Sequence, residues 1–162
     1  MKNIVLIGMM GCGKTTVSKL LSEKLGRPLI DIDEYLVNKY EMSIPSMFDI
    51  SEEYFRDRES ICCEEISHLD GYIISTGGGL VKKKSNCDVL RKNGIVIYLD
   101  RPIEMILQDV DTSSRPLLKN GADKLYELYK ERHQLYMDNC DYHIDNDCSL
   151  EELVTRVIEI IC

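Results

Sequence analysis

Gly8-Met9-Met10-Gly11-Cys12-Gly13-Lys14-Thr15 is a complete G-x-x-x-x-G-K-[ST] loop, and its reading decides the fold. The glycines let successive backbone N–H groups turn inward on phosphate oxygens, where a Cβ would block the approach. Lys14 reaches β- and γ-phosphates, and the Thr15 hydroxyl can ligate Mg2+. The flanks agree. Asn3-Ile4-Val5-Leu6-Ile7 is a short apolar run of the kind buried on both faces of a parallel sheet. Beyond the loop, Val17, Leu20, Leu21 and Leu25 recur at helical spacing, which aims a helix N-terminus at the bound phosphates.

Outward from the loop, strand and helix signals alternate. Strands are predicted at 28–32, 71–75, 94–99 and 142–144. Helices are predicted at 33–40, 51–68, 82–93, from 102 onward, at 123–137 and at 149–161, with a turn or helical fragment at 44–50. The last helix is the clearest. Ser149 and Glu152 form a capping box, and Leu150, Leu153, Val154, Val157, Ile158 and Ile161 follow on one face. Residues 110–120 are polar, carry no apolar period and read as a mobile loop. The alternation predicts a three-layer α/β/α fold around a central five-stranded parallel sheet. At 162 residues the chain is expected to form one domain, 1–162.

Composition narrows the function. The formal charge is −8, which disfavours nucleic acid and anionic membrane as partners, since both need a basic face. The run Lys82-Lys83-Lys84 is short and reads as a solvated helix start. No stretch is long and apolar enough for a membrane span, and the first strand begins too early to leave room for a signal peptide. A cytoplasmic monomer is expected. The seven cysteines are odd in number, irregularly spaced and lack C-x-x-C, which argues against disulfides and structural zinc. Cys12, beside Lys14 at a helix N-terminus, invites thiolate formation; a small residue filling the loop is the plainer reading.

In open parallel sheets ligands bind outside the carboxyl ends of the strands. The second strand ends Asp31-Ile32-Asp33, and alternation puts both carboxylates on the loop's side, one for Mg2+ and one to orient or deprotonate an alcohol. A helix cap at Asp33 is the structural alternative. Gly77-Gly78-Gly79 follows the third strand and lets backbone approach a ligand. Arg56 and Glu59 are i, i+3 neighbours: either Glu59 fixes a guanidinium for carboxylate capture, or the two form an ordinary surface pair. Arg115, in the polar loop, is placed to close over phosphates.

Taken together, the loop at 8–15, Asp31-x-Asp33, Phe55-Arg56-x-x-Glu59, Gly77-Gly78-Gly79, Arg115-Pro116-Leu117-Leu118 and Glu131-Arg132-x-x-Leu135-Tyr136 resemble the shikimate kinase family in order and spacing over nearly the whole chain. The resemblance implies a P-loop, nucleoside-monophosphate-kinase-like fold. It implies MgATP-dependent phosphorylation of the shikimate 3-hydroxyl, the fifth step of the seven-step route to chorismate and the aromatic amino acids. Gly11, Cys12, Gly13, Lys14, Thr15 and Thr16 would hold ATP, with Thr15 on Mg2+ and Asp31 in its outer shell. Asp33 would bind the substrate hydroxyls and activate one. Arg56 and Arg132 would clamp the carboxylate, with Gly78 in backbone contact, and Lys14 and Arg115 would stabilise charge on the transferring group. Residues 33–60 would form the substrate-binding region and 109–120 the lid. The chain departs from the family where it carries Gln108, Gln134 and Asp145-Asn146-Asp147-Cys148, which predicts weaker ATP affinity. Competing readings are another small-molecule kinase of this fold, such as a gluconate kinase, and a non-catalytic nucleotide-binding module.

Overall fold

The computed structural model describes residues 1–109 and 121–161. The elements run β1 (Asn3–Ile7), α1 (Lys14–Leu25), β2 (Leu29–Asp31), α2 (Ile32–Tyr40), α3 (Ile44–Ile50), α4 (Glu52–Ile66) and β3 (Ile73–Ser75). A 3-10 turn at Leu80–Lys82 leads into α5 (Lys84–Arg91), β4 (Gly94–Asp100), α6 (Ile103–Asp109), α7 (Gly121–Asn139), β5 (Tyr142–Asp145) and α8 (Leu150–Ile161). The sheet order is β2-β3-β1-β4-β5, parallel at every pairing. The predicted five-stranded α/β/α architecture is therefore found. β1 sits at the centre, so the loop that follows it opens at the middle of the sheet's carboxyl edge.

The two-residue period of each strand divides the interior into two cores. Val5 and Ile7 of β1, Ile74 of β3, and Val96 and Tyr98 of β4 face α2 to α7. Their neighbours Ile4, Leu6, Ile73, Ile97 and Leu99, with Ile144 of β5, face α1 and α8. On that second face Leu153, Val154 and Val157 are fully buried, as the pattern of α8 demands. The α8 start also matches its reading, for the Glu152 N–H donates to Ser149 Oγ at 3.3 Å.

Helix starts position the chemistry. Ser43 caps α3, so residues 44–50 form a complete two-turn helix, and Ser51 caps α4 by accepting from the Tyr54 N–H at 2.9 Å. α1 differs. Its N-cap is Gly13, at φ 94°, with no side-chain cap, which leaves its first N–H groups directed at the phosphate site. One local reading is corrected. Asp31-Ile32-Asp33 is not an extended segment, because β2 stops at Asp31 and α2 begins at Ile32. Asp31 Oδ1 accepts from the N–H groups of Asp33 and Glu34 at 2.9 and 3.1 Å, so the cap ends the strand, and Asp31 rather than Asp33 fills it.

Candidate active site

The site is built from the phosphate loop outward. Lys14 is buried, and its Nζ donates to the carbonyls of Gly8 and Met9 at 2.5 and 2.9 Å and lies 3.6 Å from Cys12 Sγ. These contacts fold the loop around its own lysine. Cys12 is fully buried and packs with Val17, Leu21 and Leu99 in the α1/α8 core, which supports the space-filling reading of this residue. Thr15 and Thr16 are exposed at the start of α1. A cleft of about 450 Å³ lies in front of them, lined also by Gly11, Asp31, Asp33, Thr76 and Gly78.

Asp33 sits in the first turn of α2 and reaches this cleft although it is not on a strand. Burial, reinforced by the negative charge of Asp31, raises its carboxyl above the usual carboxylate range, while Lys14 and Arg56 oppose the shift. A carboxylate so placed holds a proton more readily than an exposed one. That suits a group required to accept one.

The glycine turn after β3 gathers the remaining groups. A side chain at Gly77 would stand 3.3 Å from Asp33 Oδ1 and 3.6 Å from Glu59 Oε2. One at Gly78 would stand 3.5 Å from Arg132 Nη1. At Gly79 a Cβ would lie 2.8 Å from Arg56 Cζ, so a side chain there would displace the guanidinium from its place at the turn. The sequence motifs from α2, α4 and α7 thus meet around three successive residues.

The Arg56–Glu59 pair is not a surface pair. Its 2.9 Å contact joins side chains that are 11% and 1% exposed. Burial raises the Glu59 carboxyl despite the adjacent guanidinium. The cation is also stacked, with Arg56 Cζ 5.0 Å from the Phe55 ring and 5.8 Å from that of Phe48. Arg132 is buried as well. Among the described residues, Arg56 Nε, Arg132 Nε and Glu59 Oε2 are buried polar atoms without a hydrogen-bond partner. The Arg56 Nε also lies 3.5 Å from Glu52 Oε1, and the two guanidinium forks beside a narrow turn form a receptor for an anion with paired oxygens.

Four further residues shape the same region; Tyr136 and Asn146 lie in stretches quoted above without a stated role, and Thr76 and Arg101 do not. Tyr136, one turn after Arg132 on α7, is fully buried and donates its hydroxyl to the Gly78 carbonyl, which fixes the turn's orientation. Thr76 Oγ1 donates to the Leu6 carbonyl at 2.7 Å, tying the glycine turn to the strand before the phosphate loop. Asn146, just after β5, donates Nδ2 to the Cys12 carbonyl at 2.7 Å. Arg101 lines both the phosphate cleft and a neighbouring hollow of about 230 Å³ bordered by Val17, Met105, Cys148 and Leu150. Gln108 and Gln134 are both exposed. Arg115 and positions 110–120 of the expected lid lie outside the described residues.

Comparison with known proteins shows the family. A family model described as shikimate kinase matches residues 10–162. A shikimate kinase of Clostridium botulinum (strain Alaska E43 / Type E3) is 46% identical over 162 residues, covering 99% of this chain and 98% of its own. One of Clostridium beijerinckii is also 46% identical, covering 99% of this chain and 96% of its own. The structure of a shikimate kinase from Acinetobacter baumannii in complex with shikimate superposes with a TM-score of 0.90 at 36% identity, covering 99% of this chain and 93% of that one.

Proposed function

The chain belongs to the shikimate kinase family, and on that premise we propose how its own residues carry the γ-phosphoryl group of ATP to the 3-hydroxyl of shikimate. The substrate carboxylate is taken by Arg56 and Arg132, with Gly78 in backbone contact. Asp33 accepts hydrogen bonds from the ring hydroxyls. The observation that carries this reading is the convergence of two buried guanidiniums and one carboxylate on Gly77-Gly78-Gly79, beside the phosphate loop. An acid with several hydroxyl groups needs this polar clamp more than a large apolar pocket.

For transfer, Asp33 takes the proton of the 3-hydroxyl as that oxygen bonds to the γ-phosphorus. The bond from phosphorus to the bridging oxygen breaks, and ADP leaves. The N–H groups of residues 11–16 hold the polyphosphate. Lys14 exchanges its loop carbonyls for phosphate oxygens, and Arg115 approaches from the lid, both balancing charge that spreads over the moving group. Thr15 and Asp31 fit Mg2+: both offer oxygen, both line the cleft, and Asp31 caps α2 through Oδ1 from beside it. When bound, the ion neutralises charge on the β- and γ-phosphates. We place the enzyme in the cytoplasm as a monomer acting on small molecules. Among the described residues no helix is long and apolar enough to cross a membrane.

The test is ADP release from MgATP with shikimate, gluconate or a nucleoside monophosphate added separately. Release that requires shikimate, with KM for shikimate raised by one to two orders of magnitude in Arg132→Ala, is the expected result, since a charged hydrogen bond to a carboxylate contributes about 1.5–3 kcal/mol. A response to gluconate instead, or no response to any acceptor, would overturn the assignment.

A further inference from the structure

Away from the catalytic cleft, the ends of β4 and β5 carry the sequence Tyr98-x-Asp100 beside His143-x-Asp145. The strand period puts each pair on one face, and the parallel register sets Tyr98 opposite His143 and Asp100 opposite Asp145. Two carboxylates thus stand directly across a strand pair, an arrangement that repels unless positive charge lies between them. What lies between is the His143 imidazole. Its Nε2 is 2.9 Å from Asp100 Oδ2 and 3.6 Å from Asp145 Oδ1. α7 covers the group with Tyr129 and His133, whose rings stack at 4.9 Å.

We propose that Asp100, His143 and Asp145 bind a first-row divalent cation of the Zn2+, Co2+ or Ni2+ type, at a site separate from the one that handles phosphate. The donor set is one imidazole nitrogen and two carboxylate oxygens, which these ions accept and which the oxygen-seeking Mg2+ does not favour. The spacing fits. Bonds of about 2.0–2.2 Å put neighbouring donors of a tetrahedral or octahedral ion roughly 2.8–3.6 Å apart. Two of the three donor pairs meet this range, and all three donors lie within 4.8 Å of one another. The remaining pair closes by rotation of Asp145, whose side chain is 67% exposed.

The supporting contacts are those a metal ligand needs. Tyr129 donates its hydroxyl to Asp100 Oδ1 at 3.0 Å, which fixes the carboxylate and leaves Oδ2 turned to the imidazole. His133 Nδ1 is 3.8 Å from the same Oδ2 and 2.9 Å from the Tyr98 hydroxyl. A cavity of about 440 Å³, lined by Asp100, Asp145, Glu104, Tyr129 and Lys130, gives access from solvent. Coordination through Nε2 leaves the ring proton of His143 on Nδ1. The site would join the edge strand β5 to β4 one residue before Asn146, the strut to the phosphate loop.

Titration of the full chain with Co2+, with thiols kept reduced, tests this. One equivalent of ligand-field absorption, without thiolate charge transfer, is expected. Affinity should fall at least about tenfold in His143→Gln and in Asp145→Asn, and stay unchanged in the surface control His68→Gln. Shikimate-dependent kinase activity in His143→Gln reports that the variant is folded. Should it fail to fold, paramagnetic broadening of the His143 and His133 ring resonances ahead of His68 in the unaltered protein serves the same end. Absence of ligand-field bands, a thiolate spectrum, affinity unchanged in both variants, or equal broadening of all three histidines would overturn the proposal.

Discussion

The two faces of the sheet are made from alternate residues of the same strands and do opposite work. Toward α1 and α8, Ile4, Leu6, Ile97 and Leu99 meet Val17, Leu21, Leu153, Val154 and Val157 in a layer of buried carbon. Toward α4 and α7, the neighbouring residues share their layer with Glu59 and Arg132, which are buried too. Burying charge is unfavourable unless it is paired, and among the described residues the pairing is incomplete, with Arg132 Nε and Glu59 Oε2 lacking a hydrogen-bond partner. The first face therefore supplies stability, and the second holds groups whose full pairing awaits a ligand. A sheet with both faces like the first would be more stable and would lack the acid clamp.

The largest expected effect breaks activity without touching the first face. Asp33→Asn removes the proton acceptor, and kcat should fall by roughly two to four orders of magnitude, as for loss of a general base. The melting temperature should hold or rise, because the variant relieves a carboxylate whose burial raises its pKa. Steady-state kinetics and thermal denaturation on one preparation decide it. A variant that lost activity only because it unfolded would break the comparison.

The converse substitution is Leu153→Ala on α8. The side chain is fully buried, and removing it should lower stability by about 2–5 kcal/mol. Urea denaturation gives that number. kcat and both KM values should stay within about twofold, for Leu153 does not line the cleft. A large change in KM for shikimate at temperatures where the variant is folded would show that the two faces are coupled.

How much of this was legible follows the same division. The α8 face was legible because its signal is local: a cap, then one apolar stripe. The phosphate loop was legible for the same reason. Arg56 and Glu59 could be paired from their spacing, but spacing carries no information on burial, so a surface pair remained open until α4 was seen packed against the glycine turn. The run Asp31-Ile32-Asp33 reads as extended because an extended segment and a capped helix start share the pattern D-x-D; two backbone donors to Asp31 Oδ1 decide for the cap. Tyr136 and Asn146 stand in stretches that the sequence singles out, but their contacts were not legible. Each bonds to a carbonyl far away in sequence, Gly78 and Cys12, and backbone carbonyls have no sequence signature.

Tyr136 sharpens the comparison because it is buried like a core residue yet bonded to the site. Tyr136→Phe keeps the ring and its 4.8 Å contact with Tyr98 and removes only the hydroxyl. A neutral hydrogen bond contributes about 0.5–1.5 kcal/mol, so KM for shikimate should rise roughly two- to tenfold. KM for ATP should change less, although Gly78 stands against the Met10 N–H of the phosphate loop as well as Arg132. If both KM values rise together, Tyr136 is acting on the fold as a whole and belongs with the first face.

The smallest effect is the pH dependence of stability, and its sign separates the two roles. Burial raises the carboxyls of both Asp33 and Glu59. A folded-state pKa above the unfolded value means the folded chain binds the proton more tightly. The resulting stabilisation is complete below the unfolded pKa and is lost as pH rises through the folded one. Over that mildly acidic window these two groups make the protein less stable with rising pH, whereas activity rises because Asp33 must be ionised to accept a proton. The two curves should therefore slope in opposite directions, with Tm changing by on the order of a few degrees. Glu59→Gln should flatten the Tm slope whatever it does to absolute stability, and should leave the activity limb in place, since Asp33 is still there to titrate. Parallel curves in the unaltered protein would mean that stability and catalysis are governed by the same protonation, and the division between the faces would fail at the residues that define it.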